Sequence, residues 1–282
     1  MTARRNAARS GDQTAAPRTE RAARWLALWL AASAVACGGA AMDPQSPDGA
    51  PIAGEAPAPP KPKPRDAQDI ARGLAAGQVE VLVWAERVRA HPVGPKLAAL
   101  DVWGPVLSGT GLDPHKDLDR AFVASKSAND QEGAVFVAEH ALSKERIDAA
   151  VESMIGKSDP PGSWVEGLGV RAAKVTVRGR TRIVALPTDK LLVVLPEELA
   201  SAAMKFAQSG GVRDAEGDEA AVAVAARPSQ TLKGSRVPPI PETLSTVRAT
   251  LTLTPDGGAD IHVEARSTSP EQATQDAAAL TA

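Results

Sequence analysis

The stretch that decides the fold class is Val247-Arg248-Ala249-Thr250-Leu251-Thr252-Leu253-Thr254-Pro255-Asp256-Gly257-Gly258, continued by Asp260-Ile261-His262-Val263-Glu264-Ala265-Arg266. Apolar Val247, Ala249, Leu251 and Leu253 alternate with polar residues, and so do Ile261, Val263 and Ala265. A strict period of two places one set on each side of a strand, and Pro-Asp-Gly-Gly turns the chain between them. The pattern predicts an antiparallel hairpin with one buried and one wet face. Ser269 and Gln272 follow at capping-box spacing and open a last helix.

The same order of signals recurs upstream. Ala121–Ala124 and Ala134–Ala138 read as paired strands around the polar loop 126–133. Ser143 then caps a helix with Ile147, Ala150, Val151, Met154 and Ile155 at helical spacing, which Gly156 is expected to stop. Val175–Val177, Ile183–Leu186 and Leu191–Val194 form a meander, and Pro196 starts a helix carrying Leu199, Ala203 and Phe206 up to Gly210-Gly211. Hairpin-then-helix is thus expected near 120–155, 181–208 and 246–281. With a strand at Val79–Trp84 and a helix over 92–107, the stretch 79–177 reads β-α-β-β-α-β, the ferredoxin-like order. The expected fold class is α+β, with mostly antiparallel sheets, helices on one face, and repeated ββα units. Residues 67–282 form the globular region, either as one unit or as two similar halves, 67–180 and 181–282.

Upstream of residue 67 the composition changes. Residues 1–24 hold six arginines against Asp12 and Glu20, and an apolar run from Trp25 to Ala36 follows. A basic segment, a short apolar core and small residues after it read as an export signal over 1–36. Twelve residues are too few to span a hydrocarbon layer of about 30 Å. Residues 37–66 are rich in Pro and Ala, and Ala56-Pro57-Ala58-Pro59-Pro60-Lys61-Pro62-Lys63-Pro64-Arg65 excludes helix and sheet core. At about 3.1 Å per residue, such a tether reaches at most about 90 Å.

Cys37 is the chain's one cysteine. Ala34-Val35-Ala36-Cys37 resembles the lipobox of bacterial lipoproteins. The resemblance implies removal of the preceding peptide and acylation of Cys37, with Gly38 after it pointing to the outer rather than the inner membrane. Two other readings stay open: an uncleaved anchor running on to Met42, and an ordinary cleavage site beside a bystander cysteine. The lipobox-like segment, the tether, Val88–Pro95 and Thr110–Arg120 together look like predicted lipoproteins of high-GC Gram-negative bacteria, a resemblance that implies location and supplies no activity.

Without residues 1–36 the chain carries 26 basic and 32 acidic residues, which argues against nucleic acid as a partner. Asp113-Pro114-His115-Lys116-Asp117-Leu118-Asp119 is the densest polar cluster, but its spacing is that of a capped turn with Asp113 as N-cap and Pro114 at N1. His91, His115, His140 and His262 form no metal-spaced pair. Gly167-Leu168-Gly169-Val170-Arg171-Ala172 lacks the strand-then-helix setting of a dinucleotide loop, and Gly156-Lys157-Ser158 lacks the first glycine of a P-loop. Of the three tryptophans beyond the export signal, Trp84 reads as core and Trp164, in an expected loop, as the exposed binding candidate; Trp103 is the other. No catalytic residue, metal or cofactor is expected, and Cys37 is the one expected site. The leading expectation is a membrane-anchored lipoprotein with a non-catalytic periplasmic binding or scaffolding domain. It would contact membrane lipid through acylated Cys37 and a periplasmic protein partner through the domain. The alternatives are a periplasmic hydrolase assembled from scattered His and Asp residues, or a subunit of an envelope complex.

Overall fold

A computed structural model of the chain describes residues 65–95, 107, 110–177, 179–234 and 240–281. The elements are α1 (Ala67–Leu74), β1 (Val79–Trp84), α2 (Ala85–Ala90), α3 (Pro114–Asp117), β2 (Leu118–Ser125), β3 (Val135–His140) and α4 (Lys144–Lys157). The chain continues through β4 (Ser163–Val165), β5 (Arg171–Val177), β6 (Arg180–Thr188), β7 (Leu191–Pro196) and a 3-10 helix (Glu197–Gln208). It closes with β8 (Glu219–Ala226), α5 (Pro228–Thr231), β9 (Leu244–Leu253), β10 (Ala259–Ser267) and α6 (Pro270–Thr281).

All ten strands join one sheet in the order β10-β9-β8-β1-β2-β3-β7-β6-β5-β4, and every pairing is antiparallel. The fold is therefore α+β with a large antiparallel sheet. The centre of the sheet is where the sequence is apolar without alternation. Val135-Phe136-Val137-Ala138 in β3 and Leu191–Leu195 in β7 are buried on both faces. Each large apolar side chain buried there contributes about 1.5–3 kcal/mol.

The two faces have different covers. On one, Ile147, Ala150, Val151 and Met154 of α4 pack on Phe136, Ala138, Val175, Val184, Leu192 and Val194. Ser143 caps α4 as expected, its Oγ accepting from the Arg146 N–H at 3.3 Å. On the other face, Ala67, Ile70 and Ala71 of α1 and Ala203 and Phe206 of the 3-10 helix cover Leu82, Trp84, Phe122, Val137 and Val193. Helices thus lie on both faces, which corrects the one-face expectation. The reason is the doubly apolar central strands, which leave two surfaces to bury. A ferredoxin-like first half does not emerge either. That fold needs a crossover to a parallel strand, whereas β1 lies between β2 and β8 with both pairings antiparallel.

Smaller departures have local causes. Gly156 lies inside α4, which ends at Ser158, whose Oγ donates to the Pro160 carbonyl at 2.7 Å and accepts from Thr176 N–H at 2.6 Å. Trp164 sits in β4 rather than a loop. Most of the helix expected over 92–107, with Trp103, lies outside the described residues, as does Cys37 with everything before residue 65. Among the described residues no helix is long and apolar enough to cross a membrane.

Candidate functional site

A cavity of about 280 Å³ opens where α1 ends its cover of the sheet, lined by Gln68, Arg72, Glu80, Leu82, Phe122, Arg213, Val222, Val224 and Arg248. Strand alternation builds its floor. Phe122, Leu82 and Val222 stand side by side across β2, β1 and β8, because Leu82 pairs with both Phe122 and Val222. The next row on the same face runs Glu80, Val224 and Arg248 across β1, β8 and β9. Gln68 and Arg72, one helical turn apart on α1, form the wall above.

The three guanidiniums differ in their partners. Arg72 grips Glu80 in a two-pronged pair at 2.6 and 2.8 Å and also reaches Asp69 at 2.5 Å. The Glu80 hydrogen bond raises the Arg72 pKa against the opposing effect of burial. Arg248 donates to Glu219 at 2.9 Å and to the Thr250 hydroxyl at 3.4 Å. Arg213 is held by its backbone alone: its N–H donates to Gln68 Oε1 at 2.9 Å and its carbonyl accepts from Trp84 Nε1 at 3.1 Å. Among the described residues, the half-buried Arg213 guanidinium has no hydrogen-bond or ion-pair partner. Gln68 and Trp84 are themselves buried, so the arginine is presented by a fixed backbone. A planar guanidinium beside an apolar floor is suited to pair with a carboxylate or phosphate.

The residues singled out from sequence lie elsewhere. Asp113 caps α3 by accepting from His115 N–H at 3.0 Å, and Asp117 Oδ2 accepts from Asp113 N–H at 2.7 Å. Asp119 pairs with Arg89 at 3.0 Å. Burial lowers the His115 pKa, with Asp113 opposing. The cluster is a capped turn, as its spacing predicted. His91 Nε2 meets the Thr254 carbonyl at 3.0 Å, and exposed His262 lies 3.4 Å from Glu264. The described residues contain no group of three or more His, Cys, Asp or Glu placed to hold a metal. Trp164 donates to Glu152 at 2.6 Å and lies under the Arg171 guanidinium, 4.2 Å from the ring centroid, so its polar edge and one face are engaged within the chain. Gly167 and Gly169 turn β4 into β5 with positive φ.

Sequence reasoning missed the whole cavity. Its residues come from six segments, and none carries a motif; the one local signal was Arg248 on the wet face of the last hairpin. No family model matches the chain, and neither a curated protein nor a solved structure matches it.

Proposed function

We propose that the chain is a lipid-anchored binding module, tethered through Cys37, whose domain holds a small anionic ligand in the arginine-lined cavity. The ligand class is a short carboxylate or phosphate with a compact apolar part. The observation that carries this reading is the Arg213 guanidinium, without a partner among the described residues, lining one cavity with Leu82, Phe122, Val222 and Val224. Arg72 and Arg248 already have carboxylate partners, so Arg213 supplies the net attraction and the other two orient. Bonds to a charged group contribute about 1.5–3 kcal/mol, so losing Arg213 should cost tenfold or more in affinity, at about 1.4 kcal/mol per decade.

The test is thermal unfolding of the full chain against inorganic phosphate and a series of short branched carboxylates. A ligand that binds only the folded state raises the midpoint with concentration. The expected result is a saturable rise in the wild type that is strongly reduced in Arg213→Ala. No saturable rise with any anion, or equal rises in both proteins, overturns the binding assignment.

A further inference from the structure

We propose that β10 is a self-association edge: two copies of the chain pair their β10 strands antiparallel about a two-fold axis at Val263, joining two ten-stranded sheets into one. β10 ends the sheet order and pairs with β9 on one side. Natural sheets blunt such edges with short strands, proline, bulges, a covering segment or charged side chains, and charges of one sign repel a second copy whereas the mixed signs of β10 can pair with one. The opposite edge obeys that rule, since β4 has three residues. β10 has nine, contains no proline, pairs with β9 in unbroken register from Ala259 to Arg266 with a shift only between Arg266 and Ser267, and exposes Ala259, Asp260, His262, Glu264, Ala265 and Arg266.

The charges of β10 select a second copy of itself as the occupant. With the axis on Val263, Asp260 faces the second copy's Arg266 and His262 faces its Glu264, each pairing made twice. Ile261 faces Ala265 and Val263 faces Val263 on the other side. Moving the axis to His262 sets Asp260 against Glu264. Moving it to Glu264 sets the two Glu264 side chains together and His262 against Arg266. An axis between residues turns apolar positions onto the polar face. Opposite charges across a strand pair stabilise it and like charges oppose it, so only the Val263 register satisfies every position. Within the chain Asp260 lies across from Thr252 and Arg266 from Thr246, and neither makes an ion pair among the described residues. Both charges are therefore left for a second strand.

The chain's one native cysteine makes a direct test simple. In the full chain carrying Cys37→Ser, Val263→Cys places two thiols directly opposite each other, at Cα separations of about 4.5–5.5 Å that a disulfide tolerates. Mild oxidation should convert this variant to a covalent dimer. Ala259→Cys, which faces Ser267 in this register, should form no covalent dimer. Adding Arg266→Asp to Val263→Cys should abolish the dimer, and adding Asp260→Arg as well should restore it. All four substitutions lie on an exposed edge, and far-UV circular dichroism checks that each variant is folded. A Val263→Cys protein that crosslinks no better than Ala259→Cys overturns the proposal, as does a charge swap that fails to rescue. The result does not depend on the anion cavity, because no β10 residue lines it.

Discussion

His140 is the last residue of β3, buried, and neither ring nitrogen has a hydrogen-bond partner among the described residues. An imidazole removed from water without partners costs stability. Burial lowers its pKa below the usual 6.5, with Asp119 pulling weakly the other way. The unfolded chain therefore binds the proton more readily. This residue's contribution is intact above about pH 6.5 and declines as pH falls toward the folded pKa. His140→Leu keeps an apolar side chain opposite Leu118 and removes the titration. The expected outcome is an unchanged or higher unfolding midpoint at pH 7 and a flatter midpoint-against-pH curve between pH 5 and 7. A lower midpoint at every pH means that the imidazole has a partner role. The adjacent residue shows the opposite solution. Glu139 points to the other face, where its carboxylate accepts from Val212 N–H at 2.8 Å and lies 3.5 Å from Arg120. Burial still raises its pKa. A Cβ on Gly211 would collide with that carboxylate, at a φ of +86°. The glycine that reads in sequence as a helix stop is required by this close approach as well.

Elements with strong local periodicity were the legible part of the fold. The β9–β10 hairpin, α4 with its serine cap, and the β5–β6–β7 meander all follow from apolar spacing and turn residues within some 30 residues. What local patterns do not encode is who pairs across distance. β1 joins β8, and β3 joins β7, through contacts between residues more than 50 positions apart in sequence. Those two pairings merge the hairpins into one sheet. α1 was not anticipated, because its buried face is made largely of alanine and Gln68. At the end of the chain the expected capping box closes halfway. Ser269 Oγ accepts from Gln272 N–H at 3.2 Å, but the Gln272 amide turns to Asp276 at 3.1 Å. Asp276 also accepts from Ser267 and Thr243 hydroxyls, each at 2.6 Å, and so fastens α6 to the ends of β10 and β9. The Ser267 bond first, then that of Thr243, lower its pKa from 3.8. The depressed value means that the clamp is present above that pH and lost as pH falls through the folded pKa. Asp276→Ala should therefore raise amide exchange across 270–281 at pH 7 while leaving β1–β3 and β7 protected. Exchange in α6 that matches the wild type would show that apolar packing alone holds the helix.

For the whole molecule, the site was less legible than the fold for a physical reason. An arginine in sequence reads as a solvated charge, and the chain has many. Of the three cavity arginines, Arg213 differs from Arg72 and Arg248 by having no side-chain partner among the described residues, and that becomes visible only when Gln68, Trp84 and the β1–β8 pairing surround it. The tether reading rests on the opposite kind of signal, a local one, because Cys37 and its apolar prelude are contiguous. The two readings make separate demands. A single acyl chain gives marginal membrane binding, whereas each further buried CH₂ adds about 0.8 kcal/mol, so two or more chains hold a protein firmly. Acylation at Cys37 therefore predicts an all-or-none change on removing one sulfur. Radiolabelled palmitate should enter the wild type and not Cys37→Ser, and the variant should shift from the membrane to the soluble fraction on ultracentrifugation. Its anion-dependent rise in unfolding midpoint should persist, since the cavity lies within residues 68–248. Equal labelling of the two proteins would end the lipid-anchor assignment and leave the cavity untouched.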